Sequence, residues 1–488
     1  MKRNNIYKYT LIAAAVLATQ ACTKGFEDLN KDPTKAATNT PSQMILGIEK
    51  TSTDILYNSA VNGDFGMLYA QFYAQTQKEN ISLYQLDEGE NNLFWNLYSG
   101  PLSNANNLVQ INGTNPEPGA QNENAIANII SVWLFQILTD AYGNVPYSAS
   151  LQGNNASLAI PYEKSEDIYD SLIDKLDKQI AALDSGAPAF EGTGEVIYNN
   201  DISQWKKLAN SLKLRIGIRM CLADPDKAKQ IIGEAVQSGV FESNDDEAKF
   251  PYQATIGSQF PFNEEAGSAI PNNYQVTETL VDYLKNTGDP RLEIYARPAA
   301  KDGSYTGKPY GANDFSGGYD QYSYPGTQVY SPTFPGYIMS YAEVAFALAE
   351  AAERGFISGS PAGYYKKGVL ASMQFWGVST DEANAFLAKN PYKDLSSIAA
   401  QKWLALYNQG LQAWFERNRL FPNKPGASFF VKPGISLDPN IDLTKIIVPY
   451  RVSYPIAEQG TNRTNYNDAV QALGGTDSKA IELWWQLK

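Results

Sequence analysis

Histidine is absent from this chain, and cysteine occurs only twice, at Cys22 and Cys221. Without histidine, the chain cannot build a Ser-His-Asp or Cys-His nucleophilic site, or a zinc site with histidine ligands. Two cysteines are also too few for the disulfide framework of a small secreted domain. Cys221 lies in an apolar helical pattern, which predicts a buried thiol that acts as a small hydrophobic group.

Positive charge is scarce as well, because 39 lysine and arginine residues face 52 aspartate and glutamate residues and leave a net charge of -13. An acidic chain is a poor partner for nucleic acid, so we predict that none is bound. The same charge disfavours strongly anionic ligands, although a local basic patch would override the average. The sequence also lacks a P-loop and a GxGxxG dinucleotide motif, and we predict no cofactor.

The first residues are typical of an export signal, since a basic start precedes the apolar run LIAAAVLA. This run is too short to span a membrane and ends in TQAC, which is similar to a bacterial lipobox. We therefore predict that residues 1–21 are removed and that Cys22 is lipidated, which would attach the protein to a membrane. A soluble secreted protein cut near Ala21 is the alternative. The polar residues 22–43 are expected to form a spacer, and no later segment is predicted to cross a membrane.

Helical patterns dominate the rest of the chain. The stretch YIMSYAEVAFALAEAAERG, residues 337–355, has no interior glycine or proline, and its alanine-rich stripe lets another helix approach closely. Further helical patterns follow with short turns, which predicts a stacked helical-hairpin scaffold of the TPR type. We therefore predict a mainly α fold, with residues 44–488 as one domain. Arg215 and Arg219, one helical turn apart, are expected to pair with neighbouring carboxylates, and Asp140 is expected to brace a turn.

The pattern changes between about residues 243 and 335, where a long irregular stretch is rich in glycine and aromatic residues. Long loops without periodicity are usually functional or disordered, and aromatic residues weigh against disorder. Those in the second half are Tyr305, Tyr310, Phe315, Tyr319, Tyr322, Tyr324, Tyr330 and Phe334. Tyrosine rings suit the C-H faces of sugars, whose hydroxyls bond Asn, Asp and Arg side chains. The alternative for each single tyrosine is that it anchors the loop to the scaffold.

Two carboxylates in the same stretch, Asp314 and Asp320, are candidates for the pair that glycoside hydrolysis needs. They lie in a glycine-rich loop, and a mobile loop holds catalytic geometry poorly. We therefore predict a protein that binds its ligand without catalysis and is not an enzyme.

Several segments resemble one protein family when they are taken together. They are FEDLNKDP, TDAYGNVPYSAS, ANSLKLRIGIRM, AEVAFALAEAAERG, NQGLQAWFERNR and IIVPYRVSYPIAEQGTNRTNY. As a set they resemble the SusD/RagB outer-membrane lipoproteins of nutrient uptake over nearly the whole chain. The resemblance implies TPR-like helix pairs that support a loop-built face. It also implies a lipoprotein facing the cell exterior that captures an oligosaccharide and delivers it to a TonB-dependent SusC-like transporter.

In SusD-like proteins the ligand site is assembled from an early loop and a later aromatic loop. By position, Asn80 and Tyr84 in the polar stretch 75–92 match the early loop, and Tyr319, Tyr322 and Tyr324 match the later one. Two alternatives stay open. One is a RagB-like peptide binder that uses backbone hydrogen bonds and apolar pockets. The other is a lid that gates the transporter and has little affinity of its own.

Overall fold

The computed structural model describes residues 40–76, 79–85, 88–113, 115, 117–152, 159–264, 273–311, 318–421, 430–431, 433 and 442–486. The predicted export signal, residues 1–21, and the predicted lipidation site Cys22 lie outside the described residues, as does most of the predicted spacer. Within the described ranges the protein is mainly α-helical, as the sequence predicts.

The secondary structure consists of helices linked by short strands and turns. The α-helices of the described residues are α1 (Pro41–Tyr57), α2 (Glu79–Ser82), α3 (Ser103–Asn112), α4 (Pro118–Tyr142), α5 (Ser165–Ala182), α6 (Ile202–Met220), α7 (Pro225–Ser238), α8 (Pro261–Glu264), α9 (Glu278–Thr287), α10 (Leu292–Tyr295), α11 (Tyr341–Glu353), α12 (Pro361–Phe375), α13 (Thr380–Lys389), α14 (Leu395–Ala405), α15 (Gly410–Leu420), α16 (Ile456–Thr461) and α17 (Arg463–Ala472). The strands are β1 (Tyr73–Gln75), β2 (Ala248–Phe250), β3 (Tyr274–Val276), β4 (Ala296–Arg297), β5 (Tyr324–Pro325) and β6 (Gly336–Met339). The strands pair antiparallel as β1 with β3, β2 with β6 and β4 with β5.

Consecutive helices pack against each other, with α4 on α5, α6 on α7 and α11 on α12. These pairs form the predicted scaffold of stacked helical hairpins. Within the described residues, Gly119–Tyr142 of α4 is long and apolar enough to cross a membrane, but 94% of its apolar window is buried inside the fold. Packing against α3, α5 and α6 therefore accounts for the apolar surface of this helix.

The stretch 337–355 differs from the sequence prediction at its start. Its first residues belong to β6, and the helix begins only at Tyr341. Ser340 has an extended backbone, and its hydroxyl accepts a hydrogen bond from the Glu343 N-H, which caps α11. Residues 341–351 are all buried, so the helix is packed on every side and not along a single stripe. Ser340 therefore stands at the boundary between β6 and α11.

Arg215 and Arg219 pair with carboxylates, as predicted. Arg215 donates from Nε and Nη2 to the two carboxylate oxygens of Glu343, each at 2.7 Å. Arg219 Nε lies 3.4 Å from Asp140 Oδ2, and the other oxygen of Asp140 accepts a hydrogen bond from the Tyr169 hydroxyl. Burial raises the pKa of Asp140 to about 6, although Arg219 acts in the opposite direction. Asp140 therefore braces the end of α4, in agreement with its predicted structural role.

A buried ion cluster joins α6, α11, α14 and α15. Glu416 Oε2 lies 2.6 Å from Arg419 Nη2 and 3.0 Å from Lys402 Nζ. Its Oε1 lies 3.3 Å from Arg219 Nη1. Arg419 also donates two hydrogen bonds of 2.6 Å to Glu350. Burial alone would raise the pKa of Glu416, but the three cations outweigh it and hold this pKa well below its usual range.

Gly66 and Gly410 let two backbones touch. Gly66 belongs to the π-helical segment Ser59–Met67, and Gly410 is the first residue of α15. A Cβ on Gly66 would lie 2.6 Å from the carbonyl carbon of Gly410, and a Cβ on Gly410 would lie 2.5 Å from that of Gly66. Asn62 reinforces the contact, because its Oδ1 accepts a hydrogen bond from the Gly410 N-H at 2.9 Å.

Glu49 of α1 and Glu195 form a buried carboxyl pair, with exposed fractions of 1% and 0%. Glu195 accepts hydrogen bonds from the N-H groups of Ile197 and Tyr198, and Glu49 accepts one from Val196 at 3.1 Å. Burial raises the pKa of Glu49 well above its usual value, and the neighbouring Glu195 raises it further. Glu49 therefore stays protonated at pH values where an exposed glutamate is ionised.

We expect Glu49→Gln to raise the free energy of unfolding at pH 8 and to change it little at pH 4. The carboxyl ionises near its ordinary pKa of 4.5 in the unfolded chain and at higher pH in the folded protein. The wild type therefore loses stability as the pH rises above 4.5, by about 1.4 kcal/mol for each unit of pKa difference. Glutamine does not ionise, so the variant lacks this loss. Urea unfolding at both pH values measures the effect, and an unchanged pH slope in the variant would contradict the raised pKa of Glu49.

Candidate functional site

A layer of short strands brings together segments that are far apart in the sequence. Strand β1 pairs with β3, and β4 pairs with β5, where Arg297 lies opposite Tyr324. The Val276 N-H in β3 donates a hydrogen bond of 3.0 Å to the Ser323 carbonyl, which joins the two small sheets. Residues 319–325 therefore run beside β3.

The three tyrosines predicted in the later loop lie on this segment. Tyr319 is 43% exposed, and Tyr322 and Tyr324 are half-buried. Tyr319 begins a 3-10 turn directly after Gly318, whose φ of 77° is in the region that favours glycine. The side-chain amide of Gln275 donates a hydrogen bond of 2.9 Å to the Tyr319 carbonyl. The three tyrosines, called the tyrosine patch below, are thus accessible on a fixed backbone.

Charged groups accompany the tyrosine patch. The guanidinium carbon of Arg297 lies 5.4 Å from the centre of the Tyr324 ring, and its Nε donates to the Pro325 carbonyl at 2.9 Å. Burial raises the pKa of Tyr324, whereas Arg297 lowers it. The exposed Asp320 adds a carboxylate beside Tyr319. Sequence reasoning missed Arg297, because no local pattern links it to Tyr324.

Asn80 of the early loop lies in α2 and is exposed. Its Nδ2 donates to the Gln85 carbonyl at 3.2 Å. The Ser82 hydroxyl at the end of α2 accepts a hydrogen bond of 2.9 Å from the Gln75 N-H of β1. Because β1 pairs with β3, the early loop and the tyrosine patch belong to the same strand layer.

Tyr84 requires a correction, because the prediction that it offers its ring to a ligand is wrong. Its exposed fraction is 0%, and its hydroxyl accepts a hydrogen bond of 2.8 Å from Gln71 Nε2. Its ring packs 5.4 Å from the rings of both Tyr69 and Tyr310. Tyr84 therefore anchors the early loop to the core.

Other aromatic residues of the irregular stretch also act as anchors. Tyr310 is 2% exposed, and its hydroxyl donates to the Leu68 carbonyl at 2.8 Å. Phe334 is buried as well, while Phe315 lies outside the described residues. The anchoring alternative is thus confirmed for Tyr310, whereas Tyr305 and Tyr330 are half-buried, as Tyr322 and Tyr324 are.

Groups for covalent chemistry are sparse around the patch. Across the part of the chain that the structure describes, no cluster of three or more His, Cys, Asp or Glu residues could hold a metal ion. Of the two candidate carboxylates, Asp320 is exposed and Asp314 lies outside the described residues. Cys221 is buried, as predicted, and burial raises the pKa of its thiol to about 11.

Comparisons with known proteins agree with this architecture. A SusD-like family, described as starch-binding and associating with the outer membrane, matches residues 33–455. The structure of a chitin-binding protein superposes with a TM-score of 0.81 at 29% identity, over 92% of this chain and 100% of that one. A SusD homolog from Bacteroides uniformis gives a TM-score of 0.76 at 26% identity, over 92% and 100% of the two chains.

A SusD homolog from Parabacteroides distasonis shares the fold, with a TM-score of 0.78 at 23% identity over 92% of this chain and 98% of that one. No curated protein sequence matches the chain significantly. The family match covers most of the chain, and the helical fold is that of the related structures. The chain belongs to the SusD-like family of starch-binding proteins that associate with the outer membrane.

Proposed function

We propose that this protein is an outer-membrane lipoprotein, anchored through Cys22 and facing the cell exterior, that binds an oligosaccharide at the tyrosine patch. It passes the bound glycan to a TonB-dependent SusC-like transporter without covalent chemistry. Family membership supports glycan binding, since SusD-like proteins are binding proteins and not enzymes. The observation on which the proposal rests is the set of three accessible tyrosines held on a fixed strand layer.

The chemistry of the patch suits a sugar. Tyrosine offers a flat apolar face with a polar tip, and fixing its ring costs little conformational entropy. Sugar hydroxyls would find polar partners in Arg297, which lies over the Tyr324 ring, and in Asp320, the exposed neighbour of Tyr319. Asn80 is a further candidate partner. Tyr84 is fully buried and is therefore not included among the ligand-binding residues.

The related proteins indicate which glycans to test first. The family is described as starch-binding, and the relative with a TM-score of 0.81 is described as chitin-binding. Both starch and chitin are neutral chains of pyranose rings, whose faces stack on tyrosine. Maltoheptaose and chitohexaose are therefore the first probes for the tyrosine patch.

We expect replacement of Tyr319, Tyr322 and Tyr324 by alanine to weaken glycan binding at least about tenfold. Each aromatic contact contributes roughly 0.5–1.5 kcal/mol, and tenfold in affinity corresponds to about 1.4 kcal/mol. Isothermal titration of the purified full chain with maltoheptaose and chitohexaose measures the change. Tyr364→Ala is the matched control, because this half-buried tyrosine lies on scaffold helix α12.

Three outcomes would contradict the proposal in different ways. Unchanged affinity in a folded triple variant would place the glycan elsewhere on the protein. Binding of peptides without binding of any glycan would indicate a peptide uptake system. Normal uptake of the glycan by cells that carry the folded triple variant would favour a lid over a capture protein.

A further inference from the structure

A cleft of about 380 Å³ lies beside the early loop, apart from the tyrosine patch. Segments 447–453 and 477–479 form one side, and Gln85 and Asn91 contribute to the other. The two C-terminal segments are fixed to each other, because the Tyr450 N-H donates to the Lys479 carbonyl at 2.8 Å. A backbone hydrogen bond therefore fixes the two C-terminal segments that line the cleft.

Arg451 lies below the cleft, and its side chain is 0% exposed. Its Nε donates to the Tyr142 carbonyl at 3.0 Å, at the C-terminal end of α4, where the helix dipole favours a cation. Its Nη1 donates to Asp477 Oδ1 at 2.5 Å. Its Nη2 has no hydrogen-bond acceptor among the described residues. The guanidinium carbon lies 4.6 Å from the centre of the Tyr454 ring, so Arg451 is held in place below the cleft and contributes positive charge there.

Lys479 adds a second cation on the same cleft and is half-buried. Its ammonium donates one hydrogen bond to the Tyr84 carbonyl, which leaves further donors for a ligand. The neighbouring anion, Asp477, is already engaged, since its Oδ2 accepts a hydrogen bond of 2.9 Å from the Tyr454 N-H. Among the residues that line the cleft, two cations outnumber one anion, although the whole chain has a net charge of -13.

We infer that this cleft binds the carboxylate of an acidic sugar through Lys479, above the buried positive charge of Arg451, an inference that rests on the proposed glycan-binding function. A charge-assisted hydrogen bond from the Lys479 ammonium to a carboxylate is among the stronger polar contacts in proteins, and the charge of Arg451 adds to the attraction. The amides of Gln85 and Asn91 suit the hydroxyls of a sugar ring, and Ile447, which is 40% exposed, offers an apolar edge. The local charge provides the basic patch that overrides the acidic average.

Titration of the purified full chain with matched acidic and neutral glycans tests this inference. The probes are trigalacturonate with its fully methyl-esterified form, and sialyllactose with lactose. We expect at least one acidic probe to bind about tenfold more tightly than its neutral counterpart, and the difference to shrink as salt is added. Lys479→Gln should remove the preference. Lys445→Gln makes the same charge change on an 81% exposed side chain and should preserve it.

Equal affinity for every acidic probe and its neutral counterpart would overturn the inference, as would an undiminished preference in Lys479→Gln. Trialanine and trialanine amide test the other source of a carboxylate, the end of a peptide. Tight binding of trialanine alone, lost in its amide, would assign the cleft to peptides. If neutral glycans bind as tightly as acidic ones, only this inference is contradicted. If no glycan binds, the proposed function is contradicted too.

Discussion

Gly410→Ala is expected to lower the free energy of unfolding by at least about 3 kcal/mol, or to prevent folding. The added Cβ would lie 2.5 Å from the carbonyl carbon of Gly66, which is backbone and cannot rotate away. The π-helical segment Ser59–Met67 and α15 would have to separate, and the hydrogen bond from the Gly410 N-H to Asn62 would break. Urea unfolding followed by circular dichroism measures the loss.

Gly233→Ala is the matched control for this substitution. Gly233 lies inside α7, and no atom lies within 4 Å of the position that its Cβ would occupy. Alanine favours a helix interior over glycine by about 0.5–1 kcal/mol, so this variant should be slightly more stable than the wild type. Equal stability of Gly410→Ala and Gly233→Ala would mean that the two backbones are not in contact.

Glu416→Gln is expected to reduce the free energy of unfolding by about 3–5 kcal/mol. The amide keeps the shape of the side chain but removes the negative charge shared by Arg419, Lys402 and Arg219. These cations are at most 2% exposed, so water cannot replace the lost charge. Glu350 would remain as the partner of Arg419.

The pH dependence of Glu416→Gln gives a second readout. The folded pKa of Glu416 lies below its unfolded value of 4.5, so its charge stabilises the wild type above pH 4.5. That contribution is lost as the pH falls below 4.5, and the difference between wild type and variant should shrink there. Glu242→Gln is the control, because this 79% exposed glutamate pairs with Lys207 at the surface and contributes little. A constant difference between pH 3 and pH 7 would contradict the assignment.

The scaffold could be predicted because its signals are local. Helical periodicity is repeated in every turn, and Arg215 and Arg219 show by their spacing that they share a helix face. The strand β6 could not be predicted, because Tyr337, Ile338 and Met339 fit a helix as well as a strand. Pairing with β2, some ninety residues upstream, decides between them. Such tertiary pairing overrides local preference.

The candidate site was predictable only in outline. Composition indicates that aromatic residues of the irregular stretch matter, but it cannot tell a ring that faces solvent from one that anchors a loop. Tyr84 and Tyr319 are alike in the sequence, yet one is fully buried and the other is 43% exposed. The difference arises from long-range packing, such as that of Tyr84 against Tyr310, which leaves no trace in a local pattern.

The strand layer has a consequence for biosynthesis. The Thr277 hydroxyl bonds the Gln71 carbonyl across 206 positions, and Lys479 reaches Tyr84 across 395 positions. Contacts of this span form late, because the entropy of closing the intervening chain must be overcome first. A nascent polypeptide that has not reached Lys479 would thus have helices but would lack the contact that holds Tyr84. Synthesis of segment 477–479 must therefore precede the final docking of the residues around Tyr84.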